Sequence, residues 1–86
     1  MEAIFIAILS VCMSSTSCQK VDEQHYVKYI SEPFAVSEEV LMSNGGFMAI
    51  CEEHLEVLRL RLSPEEQKRP KNALCTRKDI YDKKHH

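Results

Sequence analysis

Ala3 to Val11 reads AIFIAILSV, nine residues without a charge, and is followed by Cys12-Met13 and the small-residue run Ser14-Ser15-Thr16-Ser17. No other stretch limits so strongly what the chain can become. The block is too short to span a bilayer as a helix. An apolar block of this length that ends in small side chains has the layout of a secretory signal. Cleavage before Cys18 would place Ser15 and Ser17 at the minus-three and minus-one positions, where only small side chains are accepted. The n-region departs from the usual pattern, because it carries Glu2 and the first basic residue is Lys20. The competing reading is a buried N-terminal helix or strand of a cytosolic domain. The expectation is therefore residues 1–17 as a signal peptide, 18–81 as a small helical domain and 82–86 as a disordered basic tail. The product would be secreted.

Removing 17 of 86 residues leaves 69, near the size at which a hydrophobic core alone is marginal. Such chains need disulfides, a metal or a partner. With no Trp, three Tyr and three Phe, the core must be mostly aliphatic. The charge is unevenly distributed. Residues 18–66 carry ten acids and four bases, and residues 67–86 carry seven bases and two acids. A basic end on an acidic body suits an acidic partner or an anionic surface, or it lies solvated against its own body. No nucleic-acid module is recognisable, and no nucleic-acid partner is expected.

Along the mature chain the signals favour helices. In HYVKYI, Tyr26 and Ile30 lie four apart and would share a helical face. Pro33 stops any helix before it. Ser37 followed by Glu38-Glu39 is a capped helix start, with acids suited to the dipole. Asn44-Gly45-Gly46 reads as its stop. From Phe47 to Leu62, apolar Phe47, Ile50, Cys51, Leu55, Leu58 and Leu62 recur at three- and four-residue steps, which predicts an amphipathic helix. Its end, Leu58-Arg59-Leu60-Arg61-Leu62, also alternates like a strand. Ser63-Pro64-Glu65-Glu66 is a capping box with Pro at the first helical position. Residues 71–81 predict a last short helix. The fold class expected is all-α, with three or four short helices after the signal.

The cysteines are the strongest chemical feature. Once Cys12 leaves with the signal, Cys18, Cys51 and Cys75 remain. Antiparallel helices joined near Ser63-Pro64 would bring Cys51 and Cys75 together as a disulfide, worth about 3 kcal/mol in loop entropy. Cys18 would then be free, lipid-modified or bonded to a second chain as a homodimer. Cys51-x-x-His54 with Cys75, His85 and His86 offers zinc-type ligands but lacks a second tight pair. Cys51 and His54 also fail as an activated dyad, because no third group orients them. No enzyme, cofactor or metal is expected.

The run from Tyr26 to Cys51 resembles the start of mature insect chemosensory proteins. Tyr26, Lys28, Tyr29, Val36, Glu38, Leu41, Ser43, Phe47 and Cys51 match with small spacing shifts. Pro70, Ala73, Leu74 and Thr76, with Cys75 nearby, are similar to a later segment of that family. The resemblance implies a secreted helical carrier of small hydrophobic ligands. The lining expected for it is Tyr26, Ile30, Phe34, Leu41, Phe47, Ile50, Leu55, Leu58 and Leu62. Ser17-Cys18-Gln19-Lys20 also resembles the lipidation site of bacterial lipoproteins, which would anchor the chain to a membrane through Cys18. Helical secretoglobins are similar in placing Cys near both ends of a chain of this size. A further alternative is a secreted interaction or effector peptide that uses its basic tail.

Overall fold

The computed structural model describes residues 2–13, 26–43 and 45–84. The fold is built on β1, Glu2–Cys12. Its composition explains why it is a strand. Ile4, Phe5, Ile6, Ile8 and Val11 are β-branched or aromatic, and such side chains suit a pleated surface. Both faces of β1 are buried. Phe5, Ala7, Leu9 and Val11 on one side and Ile6, Ile8 and Cys12 on the other are all at most 8% exposed. A strand buried on both faces has no polar alternation, so it reads as one continuous apolar run.

Every other strand pairs antiparallel with β1. β2, Tyr26–Ile30, runs along residues 8–12, and β3, Phe34–Ser37, runs along residues 2–5. β4, Lys71–Arg77, pairs with residues 5–11. The Cys12 N–H donates to the Pro70 carbonyl at 2.9 Å, whereas Ala7 exchanges bonds with Ser31. Even-numbered residues of β1 therefore aim their backbone at β4 and odd-numbered ones at the β2–β3 track. Between the pairs Ile8–Ile30 and Phe5–Phe34, β1 has two residues and the opposite track has three, Ser31, Glu32 and Pro33. The extra residue is a bulge. Ser31 fills it, accepting the Ala7 N–H on its Oγ at 2.8 Å and donating its own N–H to the Ala7 carbonyl at 2.9 Å.

The helices follow their caps. α1, Glu38–Met42, starts on Ser37, whose side chain accepts from the Val40 N–H. Gly45 takes the left-handed conformation (φ 84°) that lets the chain turn into α2, Gly46–Arg59. Cys51, Leu55 and Leu58 of α2, with Leu62 beyond it, pack on Phe5, Ala7, Leu9 and Val11 of β1 and on Phe34 and Val36 of β3. α3, Pro64–Gln67, has the complete capping box between Ser63 and Glu66. α4, Lys78–Lys84, continues from β4 and lies against β1.

The expected all-α architecture is thus corrected to a mixed α/β fold with a four-stranded antiparallel sheet. The predicted helical faces at 26–30 and 71–77 are strands, because both segments hydrogen-bond to β1 and long-range pairing overrides their weak local preference. The helix expected over 47–62 runs only to Arg59. A turn follows, with Arg61 and Leu62 donating to the Leu58 and Arg59 carbonyls. Asp82, Lys83 and Lys84, expected in a disordered tail, form the last turn of α4. Residues 2–12, expected as the apolar body of a signal, occupy the centre of the sheet.

Candidate functional site

The Cys51–Cys75 disulfide joins the core face of α2 to β4, with Cα atoms 6.2 Å apart and a sequence separation of 24. The pair is the one expected, but it ties a helix to a strand rather than two helices. The register places Cys75 opposite Ala7, on the side of the sheet that α2 covers. Cys12 is also disulfide-bonded. Cys18, expected as a lipidation point or an intermolecular bridge, lies outside the described residues.

β4 and α4 carry most of the basic end of the chain. Lys71 and Arg77 stand at the two ends of β4, Lys68 and Arg69 precede it, and Lys78, Lys83 and Lys84 follow. Three of these cations have local carboxylate partners. Arg69 meets Glu65 at 3.6 Å, Arg77 meets Asp79 at 3.3 Å and Lys78 meets Asp82 at 2.7 Å. Lys71 Nζ caps the Gln67 and Arg69 carbonyls, at 2.6 and 2.9 Å. Among the described residues, Lys68, Lys83 and Lys84 have no carboxylate partner. Acidic residues dominate elsewhere, with Glu52 and Glu56 of α2 paired to Arg59. Those two carboxylates hold the Arg59 guanidinium above its ordinary pKa.

A polar latch joins β2 to α3. The Tyr29 hydroxyl donates to Glu66 Oε2 at 2.6 Å, while Glu66 Oε1 accepts the Ser63 N–H at 2.9 Å. The Ser63 N–H, with the Tyr29 hydroxyl, holds the Glu66 carboxyl below the usual carboxylate range. The same bond to Glu66 pushes the Tyr29 phenol up.

The nine residues expected to line a ligand cavity are divided. Phe34, Leu55, Leu58 and Leu62 are buried in the core against β1, and Phe47 and Ile50 pack beside them. Tyr26 and Ile30 pair with Cys12 and Ile8 in the register, which places them on the opposite face of the sheet. Leu41 is 39% exposed on α1. Among the described residues, depressions open to solvent. One of about 350 Å³ is lined by Arg59, Leu60, Leu62, Gln67 and Lys71, and one of about 250 Å³ by residues including His54, Arg61 and Pro33. Each takes a single member of the expected lining, Leu62 in the first and Leu58 in the second. His54 stacks its ring on Phe34, with centroids 3.9 Å apart and planes 9° apart. Since the sulfurs of Cys51 and Cys75 are bonded to each other, the Cys51-x-x-His54 spacing holds no thiolate for a metal or a nucleophile.

Sequence reasoning located the basic charge but not the strand edge that carries it. The signal available for the strand was Cys75-Thr76 followed by the Arg77-Lys78-Asp79 break, which is weak beside the helix formers Ala73 and Leu74. No helix among the described residues is long and apolar enough to cross a membrane. Comparison with protein families, with curated proteins and with solved structures gives no match.

Proposed function

We propose that this is an exported, disulfide-stapled interaction protein whose contact surface is its basic C-terminal portion, residues 67–84. The observation that carries the reading is that the basic segment is no loose tail. It is a strand and a helix with defined geometry, anchored to α2 by Cys51–Cys75 and exposed along most of its length. Disulfides persist in oxidising compartments, and the Cys51–Cys75 bond supports export. The partner class is an acidic macromolecule. Charge attraction of this kind steers encounter and sets specificity.

A titration with poly-glutamate tests the proposal. Binding should weaken steeply from about 0.1 M to about 1 M salt, over which the screening length falls from about 10 Å to about 3 Å. Changing Lys68, Lys83 and Lys84 together to Glu should abolish it. Salt-insensitive binding, or equal binding by the charge-reversed protein, would refute the proposal.

A further inference from the structure

From the position of β4 we infer that it is a docking edge, to which an acidic, extended segment of a partner protein adds as a fifth strand. The inference rests on the basic-surface reading above and specifies how the partner is held.

Three observations carry it. The first is the free backbone. Because the even-numbered residues of β1 point toward β4, the opposed residues Asn72, Leu74 and Thr76 point back at β1. Lys71, Ala73 and Cys75 therefore aim their N–H and C=O groups outward. Among the described residues no strand pairs with that edge. The second is regularity. Lys71–Arg77 is an unbroken seven-residue strand with no proline. The opposite edge of the sheet is interrupted by the Ser31–Pro33 bulge, so β4 is the edge open to strand addition. The third is charge. Lys71 and Arg77 stand at the two ends of the edge strand, Lys68 precedes it in sequence and Lys83 and Lys84 follow in α4, so an incoming strand gains from carboxylates near its ends. Leu74, 47% exposed between them, calls for an apolar residue opposite the middle. A second copy of this chain fits poorly, since antiparallel pairing of β4 with itself about Leu74 sets Lys71 against Arg77, and like charges directly opposed destabilise a sheet.

The probe is a labelled peptide of about ten residues alternating Glu and Val. Its control has the same charge, with proline replacing the central valines so that it cannot pair as a strand. The alternating peptide should bind at least about tenfold more tightly than the control. Ala73→Pro removes an outward N–H and no bond to β1, so it should lower binding of the alternating peptide to the control level. Amide exchange at Ala73 and Cys75 of the unmodified protein should slow on binding, which decides the matter even if Ala73→Pro does not fold. Equal, salt-sensitive binding of both peptides with unchanged exchange would overturn strand addition and leave the basic-surface reading standing. If poly-glutamate also fails to bind, both fall.

Discussion

Deleting residues 1–17 should abolish the fold described here. β1 supplies Phe5, Ile6, Ile8, Leu9 and Val11, all at most 8% exposed, and is the partner of every other strand. Burying a large apolar side chain contributes about 1.5–3 kcal/mol, so the five together contribute about 8–15 kcal/mol. The net stability of a small domain is only about 5–15 kcal/mol. Loss of β1 therefore removes an amount comparable to the whole, before counting the ladders. The assay is far-UV circular dichroism and urea unfolding of chains 1–86 and 18–86, both oxidised. The full chain should show strand signal and one cooperative transition, and the shorter chain neither. A shorter chain that unfolds cooperatively at the same urea midpoint would refute the reasoning. The outcome bears directly on export, because the same residues serve either as a removable signal or as the central strand. Intact-mass measurement of the exported protein distinguishes the two. A product starting at Met1 would show that the segment is retained, and a start at Cys18 would make the present fold that of the precursor. Added acyl mass on Cys18 would select the lipoprotein alternative.

Changing Cys51 and Cys75 together to Ala should lower stability by about 3 kcal/mol, the entropy of the loop they close. This is read as a fall in the urea midpoint of the oxidised protein, and reductant, which also opens the Cys12 disulfide, should lower the midpoint of the unmodified protein by at least as much. Leu58→Ala should cost about 2–5 kcal/mol, since Leu58 is 1% exposed and its loss leaves a cavity. Leu60→Ala, only two residues away but 82% exposed, should change stability by no more than about 0.5 kcal/mol. Equal effects of the two would contradict the placement of Leu58 in the core and Leu60 at the surface. Glu66 has a lowered pKa in the folded chain, so its contribution is present above the ordinary glutamate range and is lost as pH falls through the lower folded value. Tyr29→Phe removes one of its donors and should raise the pH midpoint of acid unfolding. An unchanged midpoint would show that the latch does not form.

The helices were legible because their start signals are local. Ser37 with Glu38-Glu39, and Ser63-Pro64 with Glu66, need only neighbours within one turn. The Phe47–Leu62 periodicity likewise exposed the core face of α2. The strands were not legible, for three different reasons. β1 has the composition of a signal segment, and burial on both faces removes the alternation that would distinguish it. In β2, Tyr26 and Ile30 suit a helical face as well as a strand, and five residues are too few to reveal the period. In β4, Ala73 and Leu74 favour helix, and the strand state comes from β1 and the Cys51 tether far away in sequence. For the same reason the basic charge of the candidate site could be seen in advance, while its exposed backbone edge could not. The Cys51–Cys75 bond was reached through a helix pairing that does not exist. It holds because what matters to the cysteines is distance, and β4 brings Cys75 as near to α2 as a second helix would have done.

β1 is the first element in the chain and the hub of the sheet, while β4, which covers its far side, comes near the end. The pair Phe5–Arg77 is 72 residues apart and Val11–Lys71 is 60 apart. Closing loops that long precedes any gain from pairing, so folding should be slow for a chain of this size. Synthesis imposes a further delay. When residues 2–12 leave the ribosome none of their strand partners exists, and the sheet cannot close until residue 77 has followed. Throughout that interval an unpaired apolar strand, uncharged from Ala3 to Cys12, stays accessible to chaperones. A late-closing fold thus keeps the chain unfolded and threadable for the duration of its own synthesis.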